Sequence, residues 1–214
     1  MYKLKKNIMS NSIINSGLKT SVTYQAYRDL VKNLVEENAS TGPVQNDDLA
    51  NYTRLNDKRM KRWDKTIKIT EDDRKQIEAF DKKSTWLVIT ESWCGDAAHV
   101  LPAINKMAEL NDNIDMKVVL RDENLELIDA FLTNGGRAIP KVIMIDDATG
   151  EVLNTFGPRP SEATNLVNRF KAENGGLTPE FKEDLQHWYN KDKGQNIIKD
   201  VAKILKEVSP FTVA

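Results

Sequence analysis

The amino-acid sequence predicts an α/β protein: a central mixed sheet flanked by helices, with further helices at both ends. Three observations predict it. Short apolar runs rich in β-branched residues, at Trp86–Thr90, Met116–Leu120 and Lys141–Ile145, read as buried strands. Helical periodicities separate the first run from the second and the second from the third. A short turn, Asp146 to Gly150, then joins the third run to Glu151–Phe156 as an antiparallel hairpin.

Taken in order, the chain opens on Lys3, Lys5 and Lys6, followed by a stretch from Asn7 to Gly17 broken by Asn and Ser. That stretch holds no apolar run of the length a secretory leader needs, and it reads as a loosely ordered tail. Val22, Ala26, Leu30, Leu34 and Val35 fall at helical spacing, with Ser21 as the N-cap and Thr41-Gly42-Pro43 as the stop. A second helix spans about Asn46 to Trp63. Between Arg54 and Lys68 stand seven Lys/Arg and two Asp, a local charge of +5. This is either a patch for an acidic partner or an ordinary solvated helix face. Thr70 opens a third helix, with Glu71 to Asp73 in its first turn where the helix dipole favours anions.

From Lys83 the order becomes β-α-β-α-β-β-α. The helices are marked by Val100, Leu101, Ile104, Met107 and Leu110, then Leu125 to Leu132 closed by Gly135 and Gly136, then Leu166, Val167 and Phe170. From Leu177 to Val208 two more helices are expected, with Phe181, Leu185 and Trp188, then Ile197, Ile198, Val201 and Ile204, packing on the domain. The organisation read from this is an N-terminal helical extension over 1–82, a core over 83–173 and a C-terminal helical extension over 174–214.

Composition narrows the function classes. The 214 residues carry 31 Lys+Arg and 32 Asp+Glu, a net charge of −1, which argues against a globally basic nucleic-acid binder. No run of about 18 apolar residues occurs, so neither a membrane span nor a membrane partner is expected. The one cysteine, Cys94, excludes an intramolecular disulfide. With only two histidines beside it, no metal site and no cofactor are expected. A cytoplasmic location is expected, with Cys94 kept reduced.

Cys94 stands where a strand ends and a helix begins. Backbone N–H groups at a helix start stabilise an anion, and the thiolate is the nucleophilic form of cysteine. The bland alternative is a small buried hydrophobe. The segment Trp93-Cys94-Gly95-Asp96-Ala97 resembles the Trp-Cys-Gly-Pro-Cys site of the thioredoxin family. Pro102, inside the following helix, is similar to that family's kink-forming proline. Ile139-Pro140 is similar to its cis-proline beside the active thiol, and Gly157 to a glycine flanking its substrate groove. The resemblance covers about Lys83 to Lys171 and implies a thioredoxin-like fold.

Asp96 replaces the motif proline, and both parts of the resolving step depart from the family. Ala97 replaces the resolving cysteine, and Val88 replaces the buried Asp that serves it. The resemblance therefore implies a monothiol protein of thiol–disulfide exchange or redox homeostasis, with Cys94 as sole nucleophile acting on a protein or a low-molecular-weight thiol or disulfide. Trp93, Gly95, Asp96, Ile139, Pro140 and Gly157 would form the substrate site. Asp96 would either raise the thiol pKa or serve the helix start, with the structural role favoured. Arg137 is either the support of the thiolate or a surface loop charge. His99 faces elsewhere, and Cys94, Asp96 and His99 alone are too few for a metal. The alternative function is a redox-inactive thioredoxin-fold module that binds a peptide or partner.

Overall fold

The computed structural model describes residues 2–209. Its elements, in chain order, are α1 (Tyr2–Thr20), β1 (Val22–Thr23), α2 (Tyr24–Glu36), α3 (Asp47–Thr66), α4 (Glu71–Glu78), β2 (Ser84–Thr90) and α5 (Ala97–Ala108). They continue as β3 (Ile114–Leu120), α6 (Leu125–Ala130), β4 (Lys141–Asp146), β5 (Val152–Phe156), α7 (Ser161–Asn174), α8 (Pro179–Asp192) and α9 (Gln195–Val208). The expected mixed sheet and its flanking helices are present. Positions 210–214, the end of the expected C-terminal extension, lie outside the described residues, as does Met1.

The sheet order is β1-β3-β2-β4-β5. Strand β2 is central, parallel to β3 and antiparallel to β4, and β5 closes the hairpin against β4. Centrality explains why β2 reads as an unbroken apolar run. Trp86, Leu87, Val88 and Ile89 are all fully buried, since both faces of the strand are covered. Each such side chain contributes roughly 1.5–3 kcal/mol of transfer free energy. The register pairs Val88 with Val118 and with Val142, so the ends of β2 and β4 meet where Cys94 follows one and Ile139-Pro140 precedes the other.

The N-terminal region differs from the expected one at two places. The expected loose tail is the helix α1. Its pattern is weakly amphipathic, but Ile14 is buried and Gly17 lets α1 lie close on Leu127 and Leu87. Tertiary packing thus supplies what local propensity does not. The helix expected from Ser21 begins at Tyr24, because Val22 and Thr23 pair with Val118 and Lys117 as a short edge strand. Thr23, not Ser21, is the N-cap and accepts from the Ala26 N–H at 3.2 Å. The starts at Asn46 and Thr70 are as expected, each side chain accepting from an N–H of the first turn. Helix α6 stops earlier than expected, and Gly135-Gly136 instead makes a separate tight turn bridged between Thr133 and Gly136.

The extension helices pack directly on the core. Helix α3 lies on α5, and α9 contacts both α4 and α5. Arg28 of α2 holds Asp57 and Asp64 of α3 at 3.0 and 3.2 Å, taking up both acidic groups of the Arg54–Lys68 segment. Among the described residues, none of the seven cations of that segment pairs with a carboxylate. No helix among the described residues is long and apolar enough to cross a membrane.

Candidate functional site

The loop between β2 and α5 carries Cys94, and a clasp from the N-terminal part of the chain holds it. The Ser92 N–H donates to Thr41 Oγ1 at 2.8 Å, and the Thr41 N–H donates to Ser92 Oγ at 2.9 Å. Thr53 Oγ1 lies 2.8 Å from the same hydroxyl, and Asn56 Nδ2 donates to the Ser92 carbonyl at 2.9 Å. Thr53 and Asn56 are polar positions within the buried stripe of α3 that also carries Ala50, Met60 and Trp63. That interruption of an apolar stripe is the sequence signal by which they could have been found.

Cys94 is buried, and its S–H donates to the Ile139 carbonyl at 3.3 Å. The Ile139–Pro140 peptide is cis. Burial pushes the Cys94 thiol up to about 12, and the neighbouring Asp96 carboxylate pushes the same way. The backbone N–H groups of Ala97 and Asp96 and the Arg159 guanidinium pull it down, but desolvation wins. The expectation of a thiolate favoured by the helix start is therefore corrected: at rest the thiol is neutral. The N–H groups are in place, yet the sulfur is out of water.

Asp96 is buried beside Cys94 and makes no side-chain cap, since its carboxylate is engaged elsewhere. Arg159 Nη2 reaches Asp96 Oδ2 at 2.7 Å, and the Tyr189 hydroxyl donates to Oδ1 at 2.9 Å. Burial pushes the Asp96 carboxyl above the ordinary range, while Arg159 and Tyr189 oppose it. Of the two roles open to Arg137, the structure shows the surface charge and not the thiolate support: it forms a two-pronged pair with Asp129 at 2.6 and 2.7 Å. The guanidinium that acts on Cys94 is Arg159, two residues past Gly157 in the loop after β5. Its position in that loop was the available signal.

Gly157 packs on the other side of the proline. A Cβ there would lie 2.2 Å from the Pro140 carbonyl oxygen. Cys94, Ile139, Pro140 and Gly157 thus form a continuous set of contacts, with Gly95 and Asp96 following the thiol. Trp93 is half-buried beside them, with the Arg121 guanidinium 4.9 Å from its ring centre.

His99 lies in the first turn of α5 and belongs to the support of the site. Trp63 Nε1–H donates to His99 Nδ1 at 2.8 Å, and Nε2 lies 2.8 Å from Gln186 Oε1. The ring stacks on Tyr189 at 4.2 Å between centroids. The Trp63 donor makes Nδ1 an acceptor, so the neutral ring carries its proton on Nε2 and donates to Gln186. Burial pulls the His99 pKa down from 6.5 to about 3, with Gln186 opposing and Arg59 and Arg62 assisting. A depressed histidine stabilises the fold above its unfolded pKa, and that stability is lost as pH falls from 6.5 toward 3. The loss is expected to run at on the order of 1 kcal/mol per pH unit. Urea unfolding of the wild type and of His99→Gln between about pH 6.5 and 5, above most carboxylate titrations, should show the slope only in the wild type. Equal slopes would remove His99 as its source. No group of three or more potential metal ligands occurs among the described residues.

Comparison with known proteins agrees with this geometry. Residues 42–172 match the model of a family described as thioredoxin, a span that includes α3, α4, Cys94, Ile139-Pro140, Gly157 and Arg159, while Thr41, Gln186 and Tyr189 lie outside it. A crystal structure of a protein of unknown function from Pseudomonas aeruginosa is 20% identical, with a TM-score of 0.57 over 75% of this chain and 92% of that one. An HIV epitope scaffold is 17% identical, with a TM-score of 0.56 over 88% of this chain and 100% of that one. At such identities the likeness is one of fold. No curated protein matches the sequence.

Proposed function

The chain belongs to the thioredoxin family, and from that premise we propose that it acts as a monothiol in thiol–disulfide exchange, with Cys94 as its sole nucleophile. One observation carries the reading. The Cys94 sulfur sits at the start of α5 with the N–H groups of Asp96 and Ala97 on it and the Ile139-Pro140 carbonyl side against its proton. In the reaction the Cys94 thiol loses its proton and its sulfur attacks one sulfur of a disulfide. A Cys94–sulfur bond forms, the disulfide bond breaks, and the leaving thiolate takes up a proton. Ala97 offers no internal thiol, so a second, external thiol attacks the substrate sulfur of the adduct and returns Cys94 as a thiol. Trp93, Gly95, Ile139, Pro140 and Gly157 line the substrate side in this reading. A protein or small-molecule disulfide and a reducing, cytoplasmic setting suit it.

The neutral, buried thiol favours a second reading, a groove that binds a partner without chemistry. Mass spectrometry after exposure to a small disulfide separates the two. Exchange predicts one adduct, on Cys94, forming about tenfold faster per pH unit from near pH 7 to 9 because thiolate is scarce throughout that window. Added thiol should remove it, and Cys94→Ser should form none. Absence of any adduct even at the alkaline end, with partner binding retained by Cys94→Ser, would leave the binding module.

A further inference from the structure

Two hydrogen-bond donor groups, the Gln186 amide and the Arg59 guanidinium, face the residue next to the thiol. Placing a Cβ on Gly95 would bring it 3.7 Å from Gln186 Nε2 of α8 and 3.9 Å from Arg59 Nη1 of α3. Gly95 therefore lies in a narrow, half-buried cleft between a side-chain amide and a guanidinium, with room for a Cβ in ordinary contact with both. Arg59 Nη1, the nitrogen nearest Gly95, gives one of its two N–H groups to Asn56 Oδ1 at 2.9 Å and keeps the other, and the guanidinium meets no carboxylate among the described residues. Asn56 in turn holds the Ser92 carbonyl, so the guanidinium is tied to the thiol loop through one side chain. Gln186 is oriented as firmly. Its oxygen accepts from His99, whose tautomer Trp63 sets, which leaves the amide N–H groups turned toward Gly95.

A half-buried amide with no acceptor among the described residues, beside a half-buried guanidinium with N–H groups to spare, offers convergent donors to an anion. Arg62 adds positive charge nearby, and burial together with Arg62 lowers the Arg59 pKa, as befits a guanidinium lacking a counter-ion. On the outer face of the same helix, Arg54, Lys58, Lys61 and Lys65 are exposed at helical spacing.

We infer that the cleft over Gly95 is a carboxylate-binding site, in which Arg59 and Gln186 hold an anionic group carried beside the reacting sulfur of the disulfide substrate. The inference rests on the exchange reading for what the carboxylate is attached to, and on geometry alone for the site itself. A planar carboxylate matches the fork of a guanidinium, and the amide supplies a further donor. The site would select substrates by charge and orient the scissile bond over Cys94. A small carboxylated thiol and an acidic peptide present the same chemistry. They differ in whether the outer cationic face of α3 is also used.

Three small disulfides of similar length test it: dianionic 3,3′-dithiodipropionate, neutral bis(2-hydroxyethyl) disulfide and dicationic cystamine. Adduct formation on Cys94 should be about tenfold faster for the dianion than for the neutral reagent, and slowest for the dication. Arg59→Gln should bring dianion and neutral reagent to within about twofold. Gln186→Glu keeps an acceptor for His99 while placing a negative charge in the cleft, and should reverse the preference. Calorimetric binding of the dianion to Cys94→Ser, lost with Arg59→Gln, reads the site without chemistry. Binding to Cys94→Ser without any adduct in the wild type would sink the exchange reading and keep the site. Adducts with no charge ordering, or an ordering unchanged in both cleft variants, would overturn the site and keep exchange. Lys58→Gln/Lys65→Gln slowing only a Glu-flanked cysteine peptide disulfide assigns an acidic peptide. An unaffected peptide rate assigns a small carboxylated thiol.

Discussion

Asp96→Asn is expected to make Cys94 more reactive and the protein less stable, two effects that a simple loosening of the site would not separate. The carboxylate stands beside the thiol and, after burial itself, is the strongest influence holding the thiol neutral. Removing its charge lowers the thiol pKa, and it also frees Arg159, whose positive charge then acts on the sulfur unopposed. Lowering a thiol pKa by about one raises its thiolate fraction near neutral pH about tenfold, so alkylation at about pH 7 should rise by that factor or more. Stability moves the other way. Asn keeps an acceptor for the Tyr189 hydroxyl but leaves the guanidinium, only 23% exposed, without its counter-ion, and its Nε already lacks a partner. Breaking such a pair by removing one member costs on the order of 3 kcal/mol. Iodoacetamide kinetics and urea unfolding measure the two effects. Arg159→Gln is the control of opposite sign: it should also destabilise, but it should slow alkylation. If both variants accelerate alkylation alike, opening of the site and not the electrostatics of Asp96 controls the thiol.

What is legible in the sequence follows from local pattern. Trp86–Thr90 announces a central strand because both of its faces are buried, and the short Asp146–Gly150 turn can only return the chain as a hairpin. The position of Cys94 beside Ile139-Pro140 and Gly157 is what the resemblance of these residues to the thioredoxin family implies. What is not legible depends on partners distant in the chain. Thr41 is 51 residues from Ser92, and Tyr189 is 93 from Asp96, and no local periodicity joins such pairs. Arg137 stands nearer to Pro140 in sequence than Arg159 does, but its own neighbour Asp129 captures it. Helix α1 escapes sequence reasoning for a related reason. Its docking surface is built from Leu87 and Leu127, far downstream. The resting charge of the thiol is hidden because burial is a property of the finished fold. A helix start favours the anion, but only the covering elements decide whether water reaches it.

The contact between Gly157 and Pro140 carries the second large effect. Gly157 has φ of +108°, a region costly for any residue with a Cβ, and the added methyl of Gly157→Ala would sit 2.2 Å from the Pro140 carbonyl oxygen. That oxygen is backbone at the head of β4, where Lys141 already pairs with Ile89 of β2, so it can retreat only by disturbing the central ladder. Backbone strain and overpacking of about 1–3 kcal/mol each predict a loss of about 4 kcal/mol. For a chain of this size that is about 10 °C in Tm. Gly175→Ala is the matched control. Gly175 also has positive φ, at +74°, but has nothing within 4 Å of a would-be Cβ, so it reads backbone strain alone. The excess loss at Gly157 then measures the contact. Because retreat of Pro140 also moves the Ile139 carbonyl off the Cys94 proton, Gly157→Ala should expose the thiol and speed its alkylation, whereas Gly175→Ala should not. Equal melting temperatures for the two variants would show that β4 yields freely at Pro140, and the seat of the thiol would then not be fixed from that side.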